Sequence, residues 1–411
     1  MILSDIKYSL SDLAIVPTIT TQIKSRSECN PYYFDNKYKR LPIFTAPMEG
    51  VCNDKNYQVF EREGITSIIH RNVPLEKRLE LLDLQLWCAY SLKEFEDIFV
   101  NLEHKFIPGK KYYALLDVAN GHMQQIFDLA KQAKSIANQK GYKLVLMGGN
   151  IANPNTYDNY CNAGIDYVRC SIGTGSQCLT SANTAIHYPN ASLIEEILVK
   201  KRRLISLEYL DRTENTCITK IIADGGMGNT EEAFSRSIIA LALGADYVMI
   251  GGAFSSFVDS SALFCDINNK FFDSITLHNR NNKKFKEFFT EHNCNQIDKY
   301  GFVQIKYEQI YNDNELAKFI INNYKTLRKV SFGMSSKQAQ ENNPNFNGKY
   351  KTSEGKSIVS DVKYTCHSWT ENFIAYLKST MSYCNARTLN DFIGKQTLII
   401  KSSGTHFTVN K

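Results

Sequence analysis

Short runs of apolar and β-branched residues recur along the first 250 residues, separated by longer polar or helical stretches. In LPIFTAPM and KLVLMGGN the apolar residues are continuous rather than alternating. This pattern is typical of strands that are covered on both faces of a sheet. Eight such runs predict strands at 41–48, 65–70, 84–90, 112–119, 143–150, 165–172, 218–226 and 245–252.

Helix signals lie between the predicted strands. Ser91 with Glu94 forms a capping box, and Asn229 with Glu232 forms a looser one. Residues 233–244 have apolar residues at helical spacing and end at a glycine. Eight alternating βα units predict a single-domain α/β protein with a closed TIM (β/α)8 barrel. The alternative is a doubly wound open sheet, which would carry G-x-G-x-x-G after its first strand; the motif is absent there.

Polar and glycine-rich residues follow most of the predicted strands. Barrels carry their active sites on the loops after the strands, so we expect these residues to meet at one rim. They are Met48, Glu49, His70, Arg71, Asp117, Asn120, Asn150, the loop 171–180, Asp224, Gly225, Gly226, Gly251 and Gly252. We interpret His70 and His122 as structural residues rather than catalytic bases.

Composition narrows the class of protein. The chain has 411 residues, 43% hydrophobic and 22% charged, and a net charge of +6, as in ordinary globular proteins. No apolar run is long enough for a membrane span, and the N-terminus lacks a signal peptide. Eleven cysteines without a C-x-x-C pair indicate reduced thiols and a cytoplasmic location. The basic run 200–203 lacks interleaved aromatic residues, which favours a solvated helix face over a nucleic-acid site; the mild positive charge suits a small anionic substrate.

The loop SIGTGSQCLT at 171–180 holds the first candidate for chemistry. Cys178 is either a buried small hydrophobe or a nucleophile presented by a glycine-rich turn. Thr180 is placed to hydrogen-bond a leaving group or its own backbone. Inward-turned carbonyls of such a loop are able to hold a monovalent cation.

Glycines end the last two predicted strands. Asp224-Gly225-Gly226 and Gly251-Gly252 match the usual phosphate site of barrels, with the carboxylate near ribose hydroxyls; tight turns are the alternative. The stretch 333–336 (GMSS) adds backbone donors or is a plain helix cap. The polar stretch 351–356 is a surface loop or a flap, near 345–360, that brings a carboxylate to the site. Residues of about 262–328 form an excursion from the barrel.

These segments, in order, resemble the IMP dehydrogenase/GMP reductase family over nearly the whole chain. LPIFTAPM, IIHRN, MGGN, the cysteine loop, IIADGG, GADYVMIGG and FGMSS carry the resemblance. LDVANG at 116–121 and TSEG at 352–355 are similar to the reductase branch. The spacing from His70 to Tyr112 leaves no room for the CBS domain pair that dehydrogenases commonly insert.

The resemblance implies NADPH-dependent reductive deamination of GMP to IMP with release of ammonia, in purine nucleotide salvage. It implies catalytic roles for Cys178, Thr180 and Glu354, and a homotetramer. The implied substrate-binding residues are Met48, Ser176, Asp224, Gly225, Gly226, Gly251, Gly252, Gly333, Met334, Ser335, Lys351 and Ser353. The implied cofactor-binding residues are Arg71, Asp117, Asn120, Gly121, Asn150, Ser379 and Tyr383. Carbonyls of Gly173, Gly175 and Cys178 match the family's potassium loop.

The chain departs from the family's pattern at several positions. Thr174 stands where the family has proline, Leu179 where it has threonine, and Lys351 where arginine is usual. Two alternatives therefore accompany the reductase interpretation. One is an IMP dehydrogenase that makes XMP with NAD, and the other is a purine-nucleotide-binding protein without catalysis.

Overall fold

The computed structural model describes residues 5–35, 38–175, 179–211, 218–265, 271–272, 274–277, 283–294, 296, 303–324, 327–333, 348 and 355–401.

Eight parallel strands form one sheet at the centre of the molecule. In chain order they are β1 Ile43–Thr45, β2 Ile68–Ile69, β3 Trp87–Tyr90, β4 Lys111–Leu116, β5 Lys143–Ile151, β6 Tyr167–Cys170, β7 Lys220–Asp224 and β8 Tyr247–Ile250. Each pairs with its chain neighbour from β2 to β8, and β8 returns to pair with β1. Phe44 bridges Thr66 just before β2, so the sheet closes.

The closed sheet confirms the predicted TIM barrel. Each predicted run overlaps one strand, but most of the observed strands are shorter than the runs. The bounds were wrong by up to three residues both at the amino end of a run and at its carboxyl end. Glycine and polar residues at the carboxyl ends, such as Gly225 at φ 88°, turn the backbone out of the ladder and form the loops of the rim.

Helices follow the strands on the outside of the barrel. They are α1 Tyr57–Glu61, α2 Leu75–Asp83, α3 Leu92–Phe95, α4 Gln124–Lys140, α5 Thr156–Asn162, α6 Asn190–Asp211, α7 Glu232–Leu243 and α8 Cys366–Tyr383. Both predicted capping pairs form: Ser91 N donates to Glu94 (2.9 Å), and Asn229 N donates to Glu232 (2.9 Å). Helix α3 continues as a π-helical turn, Glu96–Val100, and Gly244 ends α7. None of the helices in the described ranges is both long and apolar enough to cross a membrane.

Aromatic side chains fill the amino-terminal end of the barrel. Phe44, Trp87, Tyr167 and Tyr247 pack together, with ring centroids 5.1–5.9 Å apart among the contacting pairs. Smaller residues, including Ala89, follow toward the other end of the strands. These aromatic side chains close the amino-terminal end of the barrel and leave space at the carboxyl end, where the active sites of barrels lie.

After β8 the chain builds a second, antiparallel layer. Its four strands pair in the order Phe271–Phe272, Leu263–Cys265, Arg328–Phe332 and Ser357–Asp361; we call them the outer sheet. Between them lie a two-stranded ladder, Ser274–Leu277 with Val303–Lys306, and the helices Lys283–Glu291, Tyr307–Asn312 and Asn314–Asn323. The excursion was expected at 262–328, and the described part of it is this layer.

The remaining elements are short and flank the barrel. They are the 3-10 helices Leu10–Asp12 and Arg26–Glu28, the pair Leu13–Val16 with Thr397–Ile400, the pair Tyr33–Asp35 with Tyr38–Arg40, and the helices Thr180–Thr184, Gly252–Ser255 and Leu389–Phe392. The nine cysteines in the described ranges are buried, and no disulfide joins any two of them.

Candidate active site

A cavity of about 250 Å³ lies at the carboxyl ends of the barrel strands. It brings together these predicted residues: Met48, Asn150, Gly173, Gly175, Thr180, Asp224, Gly225, Gly226, Gly251, Gly252 and Gly333. Residues far apart in sequence therefore meet at the rim where the pattern of strand tips placed them. Gly355 also lines the cavity, as do Ser171 and Thr174 of the cysteine loop. Met227 and Met249, which the sequence did not single out, line it too.

The turn after β7 requires glycine. Gly226 has φ 74°, and a Cβ there would overlap the side-chain amide of Asn190. That amide donates to the Gly225 carbonyl (3.3 Å), and its oxygen accepts from Leu10 N (3.1 Å). Asn190, at the start of α6, thus ties the N-terminal segment to the turn that presents Asp224.

A buried ionic network supports Asp224. Asn150 Nδ2 donates to Asp224 Oδ2 (2.7 Å), and Arg169 Nε lies 3.9 Å from the same oxygen. Arg169 also donates to Asp117 Oδ1 (3.0 Å), and its side chain is only 5% exposed. Asp117 in turn lies 3.9 Å from Arg71 Nε. The substrate and cofactor residues predicted separately are therefore one connected set.

Arg169 is the residue of this network that the sequence interpretation missed. The signal was present, because an arginine in the buried strand YVRC must pair with a carboxylate to offset the cost of burial. Which carboxylate it pairs with depends on the neighbours of β6 in the barrel. Those are β5 and β7, and the latter carries Asp224.

The pKa of Asp224 is raised above its usual value, chiefly because burial penalises the charged carboxylate. The nearby Asp117 charge raises it further, whereas Arg169 and the hydrogen bond from Asn150 lower it. The charged form therefore depends on these two donors. A ligand that donates further hydrogen bonds to the carboxylate would also stabilise that form.

The first part of the cysteine loop is held by its own side chains. Ser171 has φ 138° and its hydroxyl is hydrogen-bonded to Thr174. A Cβ on Gly225 would lie only 2.8 Å from Thr174 Oγ1. Thr174, at the position usually held by proline, therefore packs directly on the turn after β7.

Gly173 was expected to offer its carbonyl to a potassium ion. That carbonyl accepts a hydrogen bond from Ser181 Oγ (3.0 Å). Ser181 also packs on the Cα of Gly173, since a Cβ there would lie 2.5 Å from the serine Cβ. The described carbonyl therefore already has a donor, which fits a cation site poorly.

Several predicted residues lie outside the described ranges: Ser176, Cys178, Met334, Ser335, Lys351, Ser353 and Glu354. Their described chain neighbours line the cavity. Gly175 and Thr180 stand on either side of Cys178, and Gly333 and Gly355 stand at the ends of 334–354.

Gly251 and Gly333, on another wall of the cavity, differ in the space around Cα and in the use of the backbone N–H. A Cβ on Gly251 would lie 2.6 Å from Met48 Sδ, so a side chain there would collide with a lining residue. Gly333 donates its amide to the Lys356 carbonyl (3.3 Å). Gly333 therefore contributes a bare wall, and its own N–H is used within the outer sheet.

The predicted cofactor residues separate into three groups. Asn120 is exposed at the rim, and Arg71 is partly exposed. Gly121 is buried, since a Cβ there would meet the Asn150 carbonyl and Gly149, so packing explains this glycine. Ser379 and Tyr383 lie on α8 outside the cavity lining, with Tyr383 exposed.

Both histidines have structural partners. His122 lies 2.8 Å from Thr156 Oγ1 and accepts from Ala152 N (3.1 Å). His70 is buried and accepts from Asn72 N (3.2 Å). Burial, with the Arg78 charge second, lowers the pKa of His70 to about 4.

Known proteins supply a comparison for this chain. Residues 111–276 match the family described as IMP dehydrogenase / GMP reductase domain. This part of the chain is similar to that family. The matched region runs from β4 through β8 into the outer layer, and it contains the cysteine loop and the turn after β7.

Relatives with the same kind of name cover most of the chain at low identity. A "GMP reductase" of Buchnera aphidicola is 24% identical over 97% of this chain and 95% of its own length. "GMP reductase 2" of Homo sapiens is 24% identical over 96% and 94%. A "GMP reductase" of Staphylococcus carnosus is 25% identical over 64% and 76%. The resemblance noted from the sequence motifs is thereby confirmed.

Proposed function

We propose that this protein is a GMP reductase that converts GMP to IMP and ammonia with NADPH, in purine nucleotide salvage. One observation carries the proposal. A single cavity joins Thr180, two residues after Cys178, with Asp224 and with the glycines Gly251 and Gly252. This arrangement suits a nucleotide whose base reaches the cysteine loop and whose phosphate reaches the glycines. Relatives that bear the reductase name are similar over nearly the whole chain.

We assign the ribose to Asp224. Its contacts with Asn150 and Arg169 both involve Oδ2, so Oδ1 is the oxygen assigned to the sugar hydroxyls. Two donated hydrogen bonds would also favour the ionised carboxylate, whose pKa is otherwise raised by burial. The phosphate lies, in this proposal, along Gly251, Gly252 and Ser335, with Gly333 as a wall that lacks a side chain.

Cys178 is proposed as the nucleophile. Its thiolate adds to C2 of guanine, and the exocyclic amine leaves as ammonia, which gives a thioimidate joined through sulfur to C2. Transfer of a hydride to C2 then breaks the carbon–sulfur bond and releases IMP. The overall balance is GMP, NADPH and two protons to IMP, NADP and ammonium. Covalent catalysis divides one difficult substitution into two easier steps.

Proton transfer to the leaving amine is assigned to Thr180 and Glu354. The amine must leave as neutral ammonia rather than as an amide ion, so a proton donor near C2 lowers the barrier. Thr180 begins the short helix Thr180–Thr184 and lines the cavity. Gly355, next to Glu354 in the chain, lines it too.

The rim residues fit a dinucleotide. Arg71 is a partly exposed guanidinium whose Nε is buried without a hydrogen-bond partner among the described residues. The exposed part of this guanidinium suits the extra phosphate of NADPH. Asp117, Asn120 and Asn150 would face the nicotinamide end. Bound there, NADPH supplies the hydride. Ser379 and Tyr383 are assigned to the cofactor of a neighbouring subunit in a homotetramer.

Two further parts of the proposal concern surroundings. We propose a cytoplasmic enzyme, in keeping with the absence of a disulfide among the nine cysteines that the structure describes. Potassium fits less well than NADPH, because Ser181 already donates to the Gly173 carbonyl, and no step of the reaction is derived through it.

A turnover assay tests the proposal. GMP should elicit NADPH oxidation with an equal amount of ammonia released, and Cys178→Ala should abolish both. The panel includes dGMP and modified guanine nucleotides, because Thr174 and Leu179 change the loop. NAD reduction with IMP, and no reaction with GMP, would instead support a dehydrogenase. Nucleotide binding without turnover of any guanine nucleotide would support a non-catalytic protein.

A further inference from the structure

The strand Arg328–Phe332 connects the outer sheet to the cavity. At its start Lys329 is buried, with 1% of its surface exposed. At its end the chain reaches Gly333, which lines the cavity. The neighbouring strand, Ser357–Asp361, pairs with it so that Phe332 lies opposite Ser357, and Gly333 N donates to the Lys356 carbonyl. This pairing places Gly355, a second lining residue, beside the first.

Lys329 has a complete set of partners at its buried position. Its ammonium donates to the Ser260 carbonyl (2.7 Å) and lies 3.1 Å from Ser260 Oγ. It also lies 4.5 Å from the centre of the Phe264 ring and 5.1 Å from that of Tyr307. A buried ammonium is costly unless it is satisfied in this way, so its retention joins the strand firmly to the segment after β8.

Asp259 supplies the opposite charge nearby. It is buried, and both of its oxygens accept from Cys366 N (3.0 and 3.1 Å) at the start of α8. Burial raises the pKa of Asp259 to about 6, while the Lys329 charge opposes that rise. Lys329 thus links the outer sheet to the segment after β8, and Asp259 links that segment to the beginning of α8.

A second link reaches the cavity wall directly. Ser331, two residues after Lys329, has its Oγ 2.9 Å from Ser255 Oγ, and both residues are buried. Ser255 Oγ also lies 2.7 Å from the carbonyl oxygen of Gly252. The strand is therefore hydrogen-bonded, through one serine, to a residue of the proposed phosphate wall.

We propose that Lys329 and Ser331 are positioning residues for the phosphate of the nucleotide. They act by holding Gly333 and Gly355 in register with Gly252, and this is the purpose of the outer layer. The inference rests on the proposed nucleotide site. It assigns no contact between Lys329 and substrate, since Lys329 is not one of the residues that line the cavity and its ammonium donates to Ser260.

Binding of IMP and inosine to the full-length protein separates positioning from general stability. Inosine lacks only the phosphate, so a misplaced phosphate wall weakens IMP alone. We expect Lys329→Met to weaken IMP roughly tenfold and inosine by less than about twofold. Ser331→Ala should show the same selectivity with a smaller loss. Lys318→Met is the matched control, because Lys318 is an exposed lysine of the same layer, paired with Glu315, and should bind both ligands as wild type does.

Hydrogen exchange without ligand gives a second readout. Lys329→Met should speed exchange in Arg328–Phe332 and Ser357–Asp361, and Lys318→Met should not. Equal losses of IMP and inosine affinity, or wild-type affinity for both in folded Lys329→Met and Ser331→Ala, would overturn the inference. If Lys329→Met does not fold, Ser331→Ala decides by the same comparison. A wild-type protein that binds neither ligand would contradict the proposed nucleotide site, and unchanged exchange in the variants would then count against the positioning role separately.

Discussion

Replacing Arg169 by methionine should destabilise the protein strongly, and more so at high pH. Arg169 lies 3.0 Å from Asp117 and 3.9 Å from Asp224. At an effective dielectric constant of about 20, Coulomb's law gives attractions of roughly 5.5 and 4 kcal/mol. The cost of desolvating the charges offsets much of this attraction. Removing the guanidinium, however, leaves the mostly buried carboxylates of Asp117 and Asp224 without their cation. We therefore expect a loss of about 3–5 kcal/mol in the free energy of unfolding at pH 8.

The pH dependence follows from the sign of the Asp224 shift. Burial raises its pKa, and Arg169 opposes that rise, so loss of Arg169 raises it further. A carboxyl group with a raised folded-state pKa costs stability as pH rises through that value. The defect of Arg169→Met should therefore shrink at pH 5, where protonation relieves the buried charge.

Urea denaturation of wild type and variant at both pH values measures the effect. Arg387→Met is the control, since Arg387 pairs with Glu28 and is half-exposed; such surface pairs contribute about 0–1 kcal/mol. An Arg169→Met protein that is as stable at pH 8 as Arg387→Met, or a defect that grows on acidification, would refute the network as described.

Three further outcomes are expected. Acidification from pH 6.5 to 5 should lower the free energy of unfolding by about 2 kcal/mol through His70. The pKa of His70 is lowered from 6.5 to about 4 in the folded protein, so the unfolded chain binds the proton at a higher pH than the folded one. The urea midpoint of His70→Gln should therefore depend less on pH over this range. Gly226→Ala should lose IMP affinity and stability together, since its φ is 74° and the new Cβ would overlap Asn190; calorimetry that finds wild-type affinity would contradict this. Replacing K⁺ by tetramethylammonium should change turnover by less than about twofold, because the Gly173 carbonyl already accepts a hydrogen bond from Ser181. A large loss of activity would instead support a potassium site at this loop.

The barrel was predictable because its signal is local and repeated. Each strand is a continuous apolar run, and eight of them with helices between leave few alternatives. The meeting of Asp224, Gly251 and Thr180 at one rim followed from that topology. The ionic network did not, because pairing of Arg169 with Asp117 depends on which strands become neighbours and on side-chain direction. Gly121 shows a different limit. The family resemblance implied a cofactor contact for it, whereas packing against Gly149 and Asn150 accounts for a glycine at this position.

The outer layer was the least predictable region. Its strands are short, and nothing in the sequence around Lys329 indicates that this side chain is buried. Its burial comes from pairing with a strand some 60 residues earlier in the chain, Leu263–Cys265, and nothing local encodes that partner.

The covalent step is the centre of the proposed function, and mass spectrometry of rapidly quenched protein with GMP tests it most directly. We predict a peptide containing Cys178 that carries the nucleotide mass less ammonia, and no such adduct in Cys178→Ala. GMP turnover without any adduct on Cys178 would contradict the covalent step. Undiminished GMP turnover by Cys178→Ala would contradict it as well.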